Sequence, residues 1–187
     1  MAIRAFFAVE LEQKELINQI IKVQKELDLP DTAIKFVAPE NLHLTMKFLG
    51  DINENIIPEL QKAAEKISFK TFDLEISGMG CLPSYSYINA IYIGITKGFD
   101  ELKEVAQKID SLSSKFNFKK EDRPFKAHLT IGRLKKTGNK NLLVEKIKAL
   151  EKKDFGTIKI DKFVLKKSDL TPTGPIYTTL FEVHSST

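Results

Sequence analysis

The stretch NLHLTMKFLG (residues 41–50) returns in shortened form as KAHLTIGRL (residues 126–134), in a chain of 187 residues with only three histidines. Side chains alternate faces along a strand. His43 and Thr45 therefore share one face, and Leu44, Met46 and Phe48 share the other, which reads as the buried one. The second copy repeats the pattern, with His128 and Thr130 opposite Leu129 and Ile131. Thr is 12 of 187 residues. Thr two positions after both histidines would arise by chance about once in 250. The two copies lie about 85 residues apart, a spacing far too long for a solenoid unit and suggestive of internal duplication.

Outward from these strands, each half of the chain repeats one order of elements. IRAFFAVE (3–10) reads as a buried strand. Residues 11–27 place Leu16, Ile20, Val23 and Leu27 at helical spacing. IKFV (34–37) is a short strand, and Asn53 caps a helix running to about Ile67, with Pro58 early in it. FDLEISGMGCL (72–82) and INAIYIGI (88–95) read as strands around a turn. Residues 98–116 form a helix with Leu102, Val105, Ile109 and Leu112 on one side, and Asn141 to Lys152 forms another. TIKIDKFVLKKSDL (157–170) and GPIYTTLFEV (174–183) read as closing strands. Short turns between strands favour an antiparallel or mixed sheet. The expectation is an α+β protein, residues 1–187 forming a single domain of two pseudo-symmetric lobes. Each lobe would be a mostly antiparallel sheet with outer helices, the two facing across a central cleft.

Composition narrows the class. Apolar residues make up 42% and charged residues 29%, an ordinary soluble balance. No apolar run reaches the roughly 18–20 residues of a membrane span. The N-terminus lacks the basic head and cleavage site of a signal peptide. Cys81 is the only cysteine, which excludes an internal disulfide and a Cys-based zinc site and fits a reducing, cytoplasmic setting. The net charge of +4 is compatible with a phosphate-bearing partner, although Lys interleaved with Glu usually marks a solvated surface. With no obvious exposed apolar helix face, a monomer is expected.

A single strand histidine followed by a polar residue is usually surface or satisfied core, and His184, followed by Ser-Ser near the end of the chain, is read that way. Two matched copies differ. If the lobes are related by a pseudo-twofold axis, both His/Thr faces meet across the cleft. Imidazole titrates near pH ~6.5, so one ring can be neutral while its partner is protonated. Such a pair suits general base and general acid work on opposite sides of a phosphodiester. The two Thr hydroxyls can donate to non-bridging phosphate oxygens. A metallohydrolase would need three or more ligands per metal. The motif supplies two histidines and no adjacent Asp, so neither a cofactor nor a metal is expected.

The pair His43-Leu44-Thr45-Met46 and His128-Leu129-Thr130-Ile131 resembles the two-histidine phosphoesterase superfamily. With RAFFAVEL at the start, RPFKAHLTIGR in the middle and Ser168 to Tyr177 late in the chain, the sequence is similar nearly end to end to the RNA 2′,3′-cyclic phosphodiesterases, also called 2′–5′ RNA ligases. The resemblance implies opening of a 2′,3′-cyclic phosphate at an RNA 3′ end to a 2′-phosphate. It also implies, for some members, the reverse joining of tRNA halves. His43 would be the proton donor, His128 the proton acceptor, and Thr45 and Thr130 the phosphate holders; the order of the histidines comes from the family alone. Arg133, Arg4 and Arg123 are candidate substrate contacts, with ion pairing as the competing role for each. Strict alternation puts Arg133 opposite His128 unless Gly132 carries a bulge that turns it inward. Phe7 and Tyr177 are candidate base-stacking rings, with core packing as the commoner fate of strand aromatics. The rival reading is an RNA- or nucleotide-binding module of the same fold with little turnover.

Overall fold

Apolar alternation and helical spacing become regular structure largely where the sequence predicts them. A computed structural model describes residues 1–120, 124–172 and 174–186. The strands are β1 (Ala2–Glu10), β2 (Ala33–Phe36), β3 (His43–Asn53), β4 (Phe72–Ser84), β5 (Tyr87–Ile95), β6 (Leu129–Lys136), β7 (Asp154–Ile160), β8 (Lys162–Thr171) and β9 (Gly174–His184). The helices are α1 (Lys14–Leu27), α2 (Ile57–Ala64), α3 (Phe99–Lys115) and α4 (Lys140–Ala149). The predicted helical faces are the buried ones: Leu16, Ile20, Val23 and Leu27 of α1, and Leu102, Val105, Ile109 and Leu112 of α3. The Asn53 side chain accepts from the Asn55 N–H at 3.0 Å in a 3₁₀ turn that leads into α2, and Pro58 falls in the first turn of that helix. The last predicted helix begins at Lys140, where Asn139 caps it, and ends at Ala149.

All strand pairs are antiparallel, and the sheet runs β7-β4-β5-β6-β3-β1-β8-β9, with β2 also on β6. β3 and β6 meet at one residue pair, Leu44 opposite Leu129, and then part. β3 continues along β1, and β6 continues between β5 and β2. This divergence makes two lobes of one sheet and opens the cleft between them. The molecule is thus the expected α+β protein of two antiparallel lobes with helices outside.

Two details differ from the sequence reading. Residues 157–170 are not one closing strand. The chain breaks at Asp161, and β7 pairs with β4 at one end of the sheet while β8 pairs with β1 in the other lobe. The apolar alternation shifts phase there, from Ile158 and Ile160 to Phe163 and Leu165 with Asp161 and Lys162 between, and a reading of one continuous strand passes over that shift. The helices are also crossed. α1, from the first half of the chain, packs on β6, β7 and α4, while α3, from the second half, packs on β3. Lys47 of β3, its side chain 1% exposed, anchors that crossing by donating to Asp110 of α3 at 2.6 Å and to the Lys119 carbonyl at 2.5 Å.

Candidate active site

The leucines of the two motifs bring the histidines together. Leu44 and Leu129 face each other across the seam and are fully buried. Their neighbours in sequence must point to the other face, and His43, Thr45, His128 and Thr130 all line one cleft of about 540 Å³. That volume suits a nucleotide-sized molecule. Each ring is anchored two residues back. His43 Nδ1–H donates to the Asn41 carbonyl at 2.7 Å, and His128 Nδ1–H donates to the Lys126 carbonyl at 2.8 Å. A carbonyl can only accept, so Nδ1 carries the hydrogen in both rings and Nε2 is left for chemistry. His43 Nε2 lies 3.1 Å from Thr45 Oγ1. The Asn41 side chain also donates to the Pro175 carbonyl at 3.3 Å, which ties the start of β9 to the loop that holds His43.

The environments of the two rings differ. His43 packs 5.0 Å from Phe6 and edge-on at 5.2 Å to Tyr177. Burial holds its pKa below the usual 6.5; the Asn41 carbonyl and Glu10 oppose this, while Lys166 and Arg133 reinforce it. Glu10 and the buried Lys166 form an ion pair beside the ring, and Lys166 also donates to Thr179 at 3.3 Å. His128 is half-buried, with Tyr92 edge-on at 5.9 Å. Burial raises the pKa of the Tyr177 hydroxyl, while Arg133 and Arg4 lower it.

Each motif carries a β-bulge at its fourth residue. Phe7 faces Lys47 and Ala8 faces Thr45, which leaves Met46 without a partner. Likewise Ile91 faces Gly132 and Tyr92 faces Thr130, which leaves Ile131 over. A bulge reverses the alternation beyond it. Phe48 and Arg133, each five residues after its histidine, are therefore both turned into the cleft. For Phe48 this overturns the sequence reading: it is 56% exposed, not on the buried face with Leu44 and Met46. For Arg133 the inward orientation is obtained, through Ile131 rather than Gly132. The Ile131 carbonyl accepts from Val37 N–H and from Gln24 Nε2, both at 2.9 Å.

The remaining candidates separate clearly. Arg4 is exposed on β1 and does not line the cleft, and Arg123 lies outside the described residues. Phe7 is core, whereas Tyr177 lines the cleft. His184 is exposed, 3.4 Å from Glu182. Lys35, which the sequence reading missed, lines the cleft from β2, across from Arg133. Nothing local distinguishes it from the other surface lysines; only the β2–β6 pairing puts it there. Among the described residues, no group of three or more His, Cys, Asp or Glu is placed to hold a metal ion.

A paired, internally repeated phosphoesterase architecture is also what comparison with known proteins finds. The profile of the family described as LigT-like phosphoesterase matches residues 9–92 and again 93–177, and the chain belongs to that family. Two curated relatives are the RNA 2′,3′-cyclic phosphodiesterase of Methanothermobacter thermautotrophicus and the protein of the same name from Methanocaldococcus jannaschii. The first is 34% identical over 95% of this chain and 96% of its own length. The second is 35% identical over 96% and 99%. Escherichia coli LigT complexed with 3′-AMP shares the fold, with a TM-score of 0.80 at 23% identity and full coverage of both chains.

Proposed function

We propose that this protein hydrolyses RNA 2′,3′-cyclic phosphate ends to 2′-phosphomonoesters by general acid–base catalysis with two histidines and no metal. The observation that supports this reading best is the placement of two Nδ1-anchored imidazoles and two threonine hydroxyls on one nucleotide-sized cleft. The names of the two archaeal relatives agree with it. The catalytic unit is residues 1–187 as one two-lobed domain.

In this mechanism water attacks phosphorus on the side of His128, whose Nε2 takes its proton. The P–O3′ bond breaks on the opposite side, and His43 Nε2 protonates the departing oxygen, leaving the phosphate on O2′. Thr45 and Thr130 donate to the non-bridging oxygens, and Arg133 neutralises charge there. Phe48 and Tyr177 offer faces for the terminal base. Arg4, exposed on β1, is a contact for the strand beyond it. Among the described residues no helix is long and apolar enough to cross a membrane; we place the enzyme in the cytoplasm, acting as a monomer on RNA ends, tRNA halves among them. Joining to a 2′–5′ linkage is the same step with a hydroxyl in place of water.

The test is turnover of 2′,3′-cyclic nucleotides and cyclic-ended RNA with and without EDTA. We expect turnover to survive the chelator. His43→Ala and His128→Ala are each expected to lower kcat by at least ~10², the scale of a lost acid or base, with unchanged folding. Full rate in either variant contradicts the assignment. Tight RNA binding without turnover by the unmodified protein would make it a binding module instead.

A further inference from the structure

Glu10 and Lys166 stand beside His43 without lining the cleft. Glu10 of β1 lies directly opposite His43 of β3, so the two side chains share a face. Lys166 of β8 lies opposite Phe6, further along β1. Between Phe6 and Glu10 that face holds Ala8, opposite Val164, and both are fully buried. The aliphatic stem of Lys166 therefore crosses apolar ground to bring its ammonium to the Glu10 carboxylate. A register shift between β8 and β9 sets Thr179 opposite Lys166. Lys166 donates to Thr179 Oγ1 at 3.3 Å, and that hydroxyl donates to Glu10 Oε1 at 3.4 Å. The Lys166 side chain is 6% exposed and that of Glu10 21%.

The duplication supplies its own comparison. Leu44 pairs with Val9 as Leu129 pairs with Ile93, so Glu10 corresponds to Gly94. Phe6, opposite Phe48, corresponds to Ala90, opposite Arg133. Lys166, on the far side of Phe6, then corresponds to Leu82, on the far side of Ala90. His43 thus has a carboxylate and an ammonium where His128 has a glycine and a leucine. Burying such a pair carries a desolvation cost that an apolar side chain avoids. Packing alone is met by a leucine, as at Leu82, so the charges beside His43 call for another role.

A carboxylate that closes on an imidazolium holds its proton in place, and an acid so held gives the proton up less readily. Burial is the main reason the His43 pKa lies low; Lys166 lowers it further, and Glu10 raises it. The other charged or titratable groups around the ring are Arg133 of β6, Tyr177 of β9 and His128 across the cleft, with Lys35 of β2 and Glu40 on the cleft wall. We propose that Lys166 is a positioning residue that engages Glu10 and so keeps this carboxylate from closing a static ion pair on His43; this rests on the phosphodiesterase reading above. With the Lys166–Glu10 pair neutral as a unit, the bound phosphate charges the ring, and the ring releases its proton to the departing O3′.

The experiment compares the unmodified protein with Lys166→Met and with the double variant Lys166→Met/Glu10→Gln. For each, NMR follows the titration of the His43 ring, and hydrolysis of a 2′,3′-cyclic nucleotide is measured across pH. In Lys166→Met the carboxylate is left to face the ring alone, so the midpoint should rise by about one pH unit. The alkaline limb of kcat should move up with it, and kcat at neutral pH should fall about tenfold, as the acid holds its proton more tightly. KM should stay as it was, since neither residue lines the cleft. The double variant removes both charges, and its midpoint and kcat should return toward those of the unmodified protein. A midpoint unmoved in Lys166→Met, with kcat lowered or not, overturns the proposal. So does a double variant that stays with the single one. Absence of hydrolysis by the unmodified protein overturns the phosphodiesterase reading instead, and the midpoints still judge the pair.

Discussion

An acid must keep its proton until the leaving oxygen needs it, and the burial of His43 works against this. Packed against Phe6 and Tyr177, the ring favours its neutral form, and Lys166 and Arg133 push the same way. A bound phosphodiester carries negative charge and favours the imidazolium. An NMR titration of the ring should therefore show a midpoint below 6.5 in the free protein and a higher one with a 2′-nucleotide bound. A midpoint unmoved by the nucleotide would place the phosphate elsewhere. Glu10→Gln removes a carboxylate that supports the charged form, so the free midpoint should fall further. Arg133→Gln removes a cation, so the free midpoint should rise, while KM should also rise by about tenfold for a lost charged hydrogen bond. The face shared by His43 and Thr45 was legible in the sequence, because period-two alternation needs no knowledge of a partner. Phe48 was misread for the complementary reason: a bulge exists only relative to the strand beside it.

At the scale of elements, the two bulges make a cleft residue out of one that alternation would bury. β2 depends on the second of them. It lies so close to β6 that a Cβ on Gly132 would sit 2.8 Å from Ile34 Cγ2 and 3.2 Å from Phe36 Cδ1. Gly132→Ala should cost about 1–3 kcal/mol by overpacking, measured in urea. It should also raise KM, since β2 carries Lys35 and Phe36 into the cleft. A variant with unchanged KM would remove β2 from substrate binding. Helix spacing predicted α1 and α3 well, because each buries one apolar stripe whatever covers it. The split of residues 157–170 into β7 and β8 shows in the sequence only as a phase shift at Asp161 and Lys162, and alternation says nothing of which strand each piece goes on to pair with.

Across the whole molecule, both histidines depend on a seam one residue pair long, with Leu44 and Leu129 filling it. Each Leu→Ala change should cost about 2–5 kcal/mol as a buried truncation. Because the leucines share one space, the double variant should depart from additivity by about 0.5–3 kcal/mol. Denaturation of the two single variants and the double variant checks this, and strict additivity would mean that the lobes are held together elsewhere. The crossed helices provide a second hold, with Lys47 and Asp110 tying α3 to the lobe of β3, β1, β8 and β9. The sequence by itself determined the duplication, the α+β class and the four motif side chains on one face of each strand, since these follow from composition and from periods of 2 and 3.6 residues. Only the tertiary structure decided that the two faces share one cleft, that Phe48, Arg133 and Lys35 join it, and that helices and strands trade lobes. Those facts depend on which strand lies beside which, and hydrogen bonds between residues far apart in the chain leave no trace in the local order of side chains.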